Sequence, residues 1–281
     1  MARPALACAP MTIAPPILPV DAPPPWLVQA VGATVPIEGP WLPLEGGRSN
    51  RVWRAGDLAV KLYDPTSATP LFPNDPAAEA FALQSLTSLP LAPSFVSSGA
   101  GWLAYRYQPG ASWRQDPAAV ARLLGELHGL GPLPGLRSLP VGPQQIGQQA
   151  RSFAIAGLPP MPKLSDPGPV RPTIVHGDAV PGNIVVTPQG LRLIDWQCPG
   201  NGDPVDDLAL FLSPAMQLLY RGAPLSLAER EAFLAAYPCR ATVARYVLLA
   251  PLLHWRIAAH CAFRAARGDA GYGAAIQLEL G

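Results

Sequence analysis

The stretch that most constrains this chain lies beyond its middle, where a short apolar strand leads into a polar loop. The loop carries Asp178 and, five residues later, Asn183. Residues 184–186 are apolar, residues 191–194 are apolar except for Arg192, and the two runs flank Thr-Pro-Gln-Gly, so they predict a hairpin with a tight connection. Asp195 stands directly after the second strand. The stretch therefore predicts two carboxylates and one carboxamide at fixed positions around a hairpin.

This spacing has a chemical meaning. An Asp followed five residues later by Asn, with a second Asp further on, is what the loop of a phosphoryl-transfer enzyme needs. The first carboxylate, Asp178, would accept or orient the proton of an attacking hydroxyl. Mg²⁺ takes few protein ligands and prefers oxygen, so one amide oxygen and one carboxylate form a sufficient set. We therefore predict Asp178 as the catalytic residue, and Asn183 and Asp195 as the metal ligands.

In order, these motifs resemble those of the aminoglycoside phosphotransferase and choline kinase superfamily, small-molecule kinases with a protein-kinase-like fold. The resemblance covers roughly residues 40–215 and rests on three motifs: His176-Gly177-Asp178 with Asn183, Ile194-Asp195-Trp196, and Asp203-Pro204-Val205-Asp206-Asp207-Leu208-Ala209. One departure concerns Ala179 and Val180, which stand where the family usually has a bulky and then a polar residue. The acceptor side of the loop therefore does not transfer from the family.

The resemblance implies an α+β fold with two lobes, a small N-terminal antiparallel sheet plus helix and a larger, mostly helical C-terminal lobe. We expect residues 31–107 to form the nucleotide-binding lobe and residues 108–281 the catalytic and acceptor-binding lobe. Residues 1–30 are rich in proline, which interrupts any signal-peptide core, and we expect a poorly ordered extension in which Met11 offers an alternative start. The most apolar helix, at residues 246–255, is too short for a membrane span of about 20 residues.

The nucleotide side is predicted in the N-terminal lobe. Gly46 and Gly47 lie between two strand-like runs, and their backbone N–H groups, together with Ser49 and Asn50, could approach a phosphate. A glycine pair between strands is also typical of an ordinary hairpin. The next strand contains Lys61, one of only two lysines in the chain. A lysine in a strand often faces solvent, but the resemblance implies the lysine that contacts the α- and β-phosphates.

Five further residues are given roles by the same resemblance. Asp75 and Pro76 predict the start of the next helix, with residues 77–89 as its body. Glu79 is the one charged residue in that body, and it is expected to pair with Lys61 rather than only to favour the helix dipole. The backbone near Tyr107 and Gln108 is expected to bind adenine. His176 and Asp207 are expected to support the catalytic loop, Asp207 by accepting hydrogen bonds from its backbone.

The acceptor side is the least explicit. A long apolar helix at residues 241–267 carries His254 and Trp255, and we interpret these residues and Trp196 as candidates for an acceptor site. Aromatic faces there would suit a quaternary ammonium group. The alternative is that aromatic side chains on an apolar helix serve only to pack the core.

The composition of the chain limits the classes of partner that it is expected to bind. The chain has 281 residues, a net charge of +1 and 14% charged residues, so neither a nucleic-acid-binding surface nor an acidic tail is predicted. The four cysteines show no metal-ligand or CxxC spacing, which indicates reduced thiols in a cytoplasmic protein. We expect a small-molecule acceptor, no nucleic acid, no membrane, and a monomer or homodimer.

The predicted function is transfer of the γ-phosphoryl group of ATP, with Mg²⁺, to a hydroxyl of a small metabolite such as choline, ethanolamine or thiamine. Few acidic residues follow position 207, which disfavours a polycationic acceptor; the four are Glu229, Glu231, Asp269 and Glu279. An aminoglycoside or sugar kinase is the first alternative. A catalytically silent nucleotide-binding pseudokinase is the second, although all five polar positions of the motif set are intact.

Overall fold

A computed structural model describes residues 22–44 and 48–281 of the chain. Within these residues the N-terminal part contains an antiparallel sheet of five strands in the order β1-β2-β3-β5-β4. Its strands are β1 (Trp41–Pro43), β2 (Arg51–Ala55), β3 (Leu58–Leu62), β4 (Phe95–Gly99) and β5 (Trp102–Arg106). The predicted α+β class and the small N-terminal sheet are confirmed. Gly46, Gly47 and most of the expected extension lie outside the described residues.

One face of this sheet is covered by a helix that the sequence analysis did not predict, α1 (Pro25–Gly32). Its Leu27 and Val31 are fully buried, and they pack with sheet residues that include Val60 and Trp102. Proline at the first helical position suits the start of the helix because it has no N–H to satisfy there. Residues 25–32 are therefore helical, and the expected end of the extension at residue 30 falls inside this helix.

The other face is covered by α2 (Pro76–Ser85), whose start was predicted. The Asp75 carboxylate accepts hydrogen bonds of 3.0 Å from the backbone N–H groups of Ala77 and Ala78, so it is the N-cap. The helix ends at Ser85 rather than at residue 89 as expected. Leu83 of this helix is buried in the main hydrophobic core, which continues into the C-terminal part.

The C-terminal part is mostly helical, as predicted, with short strands around the catalytic loop. Its strands are β6 (Ala111–Ser112), β7 (Thr173–Val175), β8 (Ile184–Thr187), β9 (Gly190–Leu193) and β10 (Gly200–Gly202). Its helices are α3 (Pro117–Gly129), α4 (Gly142–Arg151), α5 (Val205–Leu212), α6 (Pro214–Arg221), α7 (Leu227–Ala236), α8 (Arg240–Ala265) and α9 (Ala270–Leu280). The predicted hairpin is confirmed, because β8 pairs with β9 in antiparallel register from Ile184–Leu193 to Thr187–Gly190.

The segment at residues 205–221 forms two helices, α5 and α6, rather than one. Pro214 lacks an N–H and disfavours a helical conformation at the residue before it, so the chain turns at Ser213, which has φ −59° and ψ 118°. The Ser213 side chain accepts a hydrogen bond from the backbone N–H of Met216 and thereby caps the second helix. Leu208 and Phe211 of α5 are fully buried, so this helix forms the centre of the lobe.

The long helix α8 has 26 residues and contains the apolar segment noted in the sequence. Among residues 22–44 and 48–281 it is the one helix whose length and composition would allow it to cross a membrane. More than half of its most apolar window, 56%, is buried inside the protein, as in the core helix of a globular domain. The helix packs against α4, α5 and α9.

Candidate active site

The loop that carries Asp178 follows β7, and the Asp207 side chain holds its backbone. The two carboxylate oxygens of Asp207 accept hydrogen bonds from the backbone N–H groups of His176, at 2.8 Å, and of Gly177, at 2.9 Å. Gly177 has φ +75°, and a Cβ atom there would lie 2.2 Å from the carbonyl oxygen of Cys198. Only glycine fits this position. The predicted support of the loop by Asp207 is therefore present.

His176 supports the same loop through both ring nitrogens. Its Nδ1 accepts a hydrogen bond from the backbone N–H of Asp178 at 3.2 Å, and its Nε2 donates to the carbonyl oxygen of Ile194 at 3.0 Å. Burial lowers the pKa of His176, with nearby carboxylates opposing the effect. The ring is therefore neutral, and it joins the loop to the end of the hairpin in one orientation.

The Asp178 carboxyl group is 6% exposed and lies in a polar enclosure. Burial and the charge of Asp195 raise its pKa to about 8, although hydrogen bonds from Asn183 and Gln197 and the charge of Lys61 act in the opposite direction. The Asn183 amide donates to Asp178 Oδ2 at 3.0 Å. A carboxyl group with a pKa near neutrality can accept a proton from a hydroxyl and release it again, which is what a general base requires.

Lys61 is buried where β3 meets Glu79 of α2 and Asp195, with 1% of its surface exposed. Its Nζ lies 2.6 Å from Glu79 Oε2 and also contacts Asp195 Oδ1. Burial alone would lower the pKa of Lys61, but the two carboxylates outweigh it and raise the pKa above its ordinary value. The predicted ion pair with Glu79 is present, and the alternative of a solvent-facing strand lysine is wrong.

Glu79 does more than pair with Lys61. Its Oε1 accepts a hydrogen bond of 3.0 Å from the backbone N–H of Trp196, and its Oε2 accepts one from the Tyr63 hydroxyl. Burial raises the pKa of Glu79, and the charge of Lys61 opposes that rise. One carboxylate from α2 thus connects β3 to the segment that carries Asp195.

Asn183 and Asp195 line a cleft of about 490 Å³, together with Tyr107 and Gln108 from the segment between the lobes. Asp195 adopts the left-handed conformation, with φ +62°, which is uncommon for a residue other than glycine and is found at functional sites. Asn183 uses its N–H to hold Asp178, which leaves its carbonyl oxygen for a cation. Two oxygen donors facing one cleft fit Mg²⁺, which keeps water and phosphate oxygens as its other ligands.

Of the two side chains expected to bind phosphate, one is placed differently. Ser49 lies in the bend before β2, and its contact with a phosphate stays a prediction. The Asn50 amide donates to Asn74 Oδ1 and to Gln197 Oε1, both at 2.7 Å. Both N–H bonds of this amide are therefore engaged within the protein. The expectation that Asn50 offers its side chain to a phosphate is corrected, because these partners already hold it.

The three acceptor candidates do not meet at the cleft. Trp196 is fully buried, and its Nε1 donates to the carbonyl oxygen of Leu193 at 2.8 Å, so it is a core residue beneath the catalytic loop. His254 bonds to Glu279 Oε2 at 2.5 Å and to the Tyr246 hydroxyl at 3.0 Å. His254 and Trp255 line a separate cavity of about 640 Å³. The structure does not support their assignment to the acceptor, because the cavity that His254 and Trp255 line shares no residue with the cleft at Asn183 and Asp195.

Two residues around this site, Gln197 and Arg48, were missed. Gln197 accepts a hydrogen bond from the Asn50 amide, and Tyr220, a residue of the C-terminal part, lines the cleft beside Gly182. Arg48 places its guanidinium 5.3 Å from the ring centre of Tyr220 and 5.5 Å from that of Tyr272. The scarcity of asparagine was the available signal, because three of the four asparagines, Asn50, Asn74 and Asn183, lie around this site.

Comparisons with known proteins agree with this geometry. Thiamine kinases of Salmonella newport and Salmonella heidelberg are each 35% identical over 135 residues, which cover 45% of this chain and 49% of each relative. The chain thus spans about half the length of the curated relatives it matches. A choline kinase from Streptococcus pneumoniae has a similar structure, with a TM-score of 0.63 at 19% identity over 90% of this chain and 98% of that one.

A sequence profile described as the phosphotransferase enzyme family matches residues 40–246. This region contains β3 with Lys61, α2 with Glu79, and the catalytic loop with Asp178, Asn183 and Asp195. It covers well over half of the chain, and the structural likeness to a choline kinase supports the same fold. This chain therefore belongs to the phosphotransferase enzyme family.

Proposed function

We propose that this chain is a kinase that transfers the γ-phosphoryl group of ATP to a hydroxyl group of a small molecule. The observation that carries the proposal is a connected polar cluster at one cleft: Asn183 and Asp195 line the cleft, Lys61 pairs with Asp195, and Asn183 holds Asp178. Lys61 comes from the N-terminal sheet, and the other three come from the loop and hairpin of the C-terminal part. A nucleotide bound between them would have the Lys61 ammonium group on its N-terminal side. The side-chain oxygens of Asn183 and Asp195 would lie on its C-terminal side.

Each of these residues has a separate role in the proposed reaction. When bound, ATP supplies the phosphoryl group and Mg²⁺ neutralises charge on its phosphates. Asn183 and Asp195 would hold the metal ion, and Lys61, fixed by Glu79, would position the phosphates. Asp178 would orient the acceptor hydroxyl and take its proton. Positioning and charge stabilisation then supply most of the rate enhancement.

For the acceptor we favour a small organic cation that carries a hydroxyl group, such as thiamine, choline or ethanolamine. Thiamine kinase relatives support this choice. The rings of Tyr220 and Tyr272 support it as well, because they already lie within cation–π distance of the Arg48 guanidinium. Burial raises the pKa of both phenols and the charge of Asp178 adds to the effect, which is consistent with rings close to the catalytic carboxyl group.

An aminoglycoside acceptor is less well supported, because a polycation needs a wall of carboxylates. Of the four acidic residues after position 207, Glu279 is buried against His254 and Ser213. Glu229 belongs to the capping box of α7 and pairs with Arg221. Asp269 lies near the tyrosines but pairs with Arg264 at 2.9 Å. These engagements favour an acceptor with a single positive charge.

The decisive experiment is an ATP-consumption screen with amino alcohols, thiamine, sugars and aminoglycosides. We expect turnover with one of the cationic alcohols. Turnover with an aminoglycoside or a sugar would instead identify the first alternative. Stabilisation by Mg-ATP without turnover of any acceptor would identify a pseudokinase and overturn the proposal.

We also propose that the protein acts in the cytoplasm as a monomer or homodimer, without a nucleic-acid or membrane partner. The net charge of +1 and the reduced cysteines of its sequence support this setting. Sedimentation analysis of the purified chain, with and without Mg-ATP, would decide between the two oligomeric states.

A further inference from the structure

A small cavity of about 20 Å³ lies beside the catalytic loop. Arg137, from the segment before α4, and Arg256 of α8 both line it. Gly177 of the catalytic loop and Asp206 of α5 form other parts of its wall. The cavity shares no lining residue with the cleft of about 490 Å³ described above. It is therefore a separate site, to which the proposed reaction gives no role.

Arg256 is 1% exposed and uses both of its terminal nitrogens within the protein. Nη1 donates to Gln149 Oε1 at 2.9 Å, and Nη2 donates to Asp206 Oδ1 at 2.6 Å. The Nε atom is also buried, and among residues 22–44 and 48–281 it has no hydrogen-bond partner. Buried polar groups in folded proteins nearly always have a partner, so this N–H group requires an acceptor from outside the chain.

Arg137 has a second N–H group of the same kind. Its Nη2 donates to the carbonyl oxygen of Cys198 at 3.3 Å, and its buried Nε has no partner in the described part of the chain. Asp206 is paired with Arg256, and none of the ion pairs of the described residues includes Arg137. Burial lowers the pKa of Arg137, which agrees with a charge that the protein compensates incompletely. Two cations in the wall of this cavity therefore share one carboxylate.

The charge and the size of the cavity together select its ligand. Two guanidinium groups (+2) and one carboxylate (−1) leave a net charge of +1 on its walls. Cys198 adds no negative charge, because burial raises the pKa of its thiol well above the ordinary value. A volume of about 20 Å³ holds one water-sized ligand, since a single water requires roughly 10–15 Å³, and it excludes phosphate and carboxylate groups. A monatomic anion accepts both N–H groups and neutralises the charge, whereas a water molecule does only the first.

We propose that Arg137 and Arg256 bind one chloride ion in this cavity through their Nε–H groups. The bound ion joins α8 to the segment before α4. Through Arg137 it also supports the carbonyl group of Cys198, against which Gly177 packs so closely that a Cβ atom there would lie 2.2 Å from the oxygen. An ion that binds only the folded chain stabilises it by mass action, and this effect is independent of the proposed kinase reaction.

The first test compares the melting temperature of the wild-type chain in sodium chloride, sodium bromide and sodium gluconate at equal ionic strength. Equal ionic strength keeps the screening of surface ion pairs constant. Gluconate is far too large for a cavity of about 20 Å³. At about 0.2 M we expect a melting temperature about 2–4 °C higher in chloride or bromide than in gluconate, the shift for a weakly bound ligand. Equal melting temperatures in the three salts would overturn the proposal.

The second test removes one of the two donors. Arg137→Met keeps an apolar stem of similar length and leaves the ion pair of Asp206 with Arg256 intact, and we expect it to abolish the difference between halide and gluconate. The matched control is Arg122→Met, which removes an exposed guanidinium 4.0 Å from Asp116 and should keep the full difference. A difference of wild-type size in Arg137→Met, or its loss in Arg122→Met, would show a general salt effect and overturn the proposal.

A crystallographic measurement needs no variant and separates an anion from water. Crystals of the wild-type chain are soaked in sodium bromide, and data are collected at the bromine absorption edge, where bromide gives an anomalous signal and water gives none. We expect an anomalous peak within hydrogen-bonding distance of the Nε atoms of Arg137 and Arg256. Density without an anomalous signal would identify a water molecule and overturn the proposal.

Bromide in the crystal without a halide effect on the melting temperature would mean binding at crystal concentration only, and it would overturn the proposal as well. The outcome is separate from that of the kinase assays. A chain that binds halide in this cavity but phosphorylates no acceptor would overturn the proposed function and leave the anion site in place.

Discussion

Asp178 combines a buried carboxyl group with neighbours that both raise and lower its pKa. Burial and Asp195 favour the protonated form, whereas Asn183, Gln197 and Lys61 favour the carboxylate. The balance leaves a pKa of about 8, far above the ordinary value for aspartate and close to the pH at which a kinase works. At the scale of single residues, this balance determines the chemistry of the site.

The first prediction concerns this carboxyl group as a base. Asp178→Asn should lower kcat by about 10² to 10⁴, the range for loss of a positioned proton acceptor. Binding of Mg-ATP, measured by calorimetry, should remain because Asn183 and Asp195 are unchanged. A variant with near-normal turnover would contradict the role of Asp178.

The second prediction concerns stability and pH. The pKa of Asp178 is higher in the folded chain, about 8, than in the unfolded chain, about 3.8, so between these values the folded state keeps a proton that the unfolded state has lost. Its contribution to the free energy of unfolding is therefore greatest below about pH 4 and is lost as pH rises through about 8. Relative to wild type, Asp178→Asn should gain stability over this range, by at most about 1.4 kcal/mol per pH unit.

Denaturant titrations of both proteins in EDTA, at a series of pH values from 4 to 9, would measure the difference. EDTA keeps the comparison free of metal binding. A stability difference that does not change with pH would contradict the raised pKa.

The third prediction concerns Lys61, one of only two lysines in the chain. Lys61→Arg should weaken ATP binding about tenfold or more, because a guanidinium is wider than an ammonium group and Lys61 is enclosed between Glu79 and Asp195. Overpacking of this buried position should also lower the free energy of unfolding by about 1–3 kcal/mol. The matched control is Lys163→Arg at the exposed second lysine, for which we expect neither effect. Equal ATP affinity in both variants would refute the role of Lys61.

At the scale of helices, the break between α5 and α6 places polar groups in the core. Glu279 of α9 accepts the backbone N–H of Ala215 at 2.8 Å and the hydroxyl of Ser213, while its other oxygen bonds to His254. One buried carboxylate thus secures the start of α6 and joins it to α8 and α9. This use explains why His254 has a structural position rather than a place at the acceptor.

The fourth prediction follows from that arrangement. Ser213→Ala should lower the free energy of unfolding by about 1–3 kcal/mol, because it removes an N-cap and leaves a Glu279 oxygen with one donor fewer in the core. Ser226→Ala removes an exposed N-cap of α7 and should lower the free energy of unfolding by about 0.5–1 kcal/mol. Urea titrations compare the two. If Ser213→Ala were no less stable than Ser226→Ala, burial of the Ser213 cap would not increase its contribution to the free energy of unfolding.

At the scale of the whole molecule, the two lobes meet across the cleft through Arg48. Its guanidinium lies over Tyr220 and Tyr272 and 3.8 Å from Asp269, on the C-terminal side. About a third of this side chain is exposed, and the ion pair is of the exposed kind that stabilises by less than about 1 kcal/mol. This ion pair therefore contributes little to holding the two parts of the chain together.

The fifth prediction tests this contact. If a cationic acceptor uses the two tyrosine rings, Arg48 competes with it, and Arg48→Ala should lower the KM for that acceptor about 2- to 10-fold. Arg51→Ala, in which a guanidinium over Trp53 is removed, is the control and should leave this KM unchanged. A higher KM in Arg48→Ala would mean that the guanidinium contacts a substrate rather than excluding it.

The sequence by itself determined which polar residues carry the chemistry. Asp178, Asn183 and Asp195 stand at fixed spacing around a hairpin whose turn residues are local signals, and the structure has that hairpin in the predicted place. The Asp75 cap and the strand around Lys61 were predictable for the same reason, since capping and strand patterns depend on neighbours in sequence. The ion pair of Lys61 with Glu79 followed from the family resemblance.

Only the tertiary structure decided how these residues are surrounded. The Asn50–Gln197 bond joins positions 147 residues apart, and Glu279 reaches Ser213 across 66 residues. No local pattern encodes such contacts, because they depend on how helices and sheet pack against each other. The raised pKa of Asp178 and the placement of His254 away from the cleft have the same origin. Burial and partner geometry arise from packing of the whole chain, whereas spacing and caps are already present in the sequence.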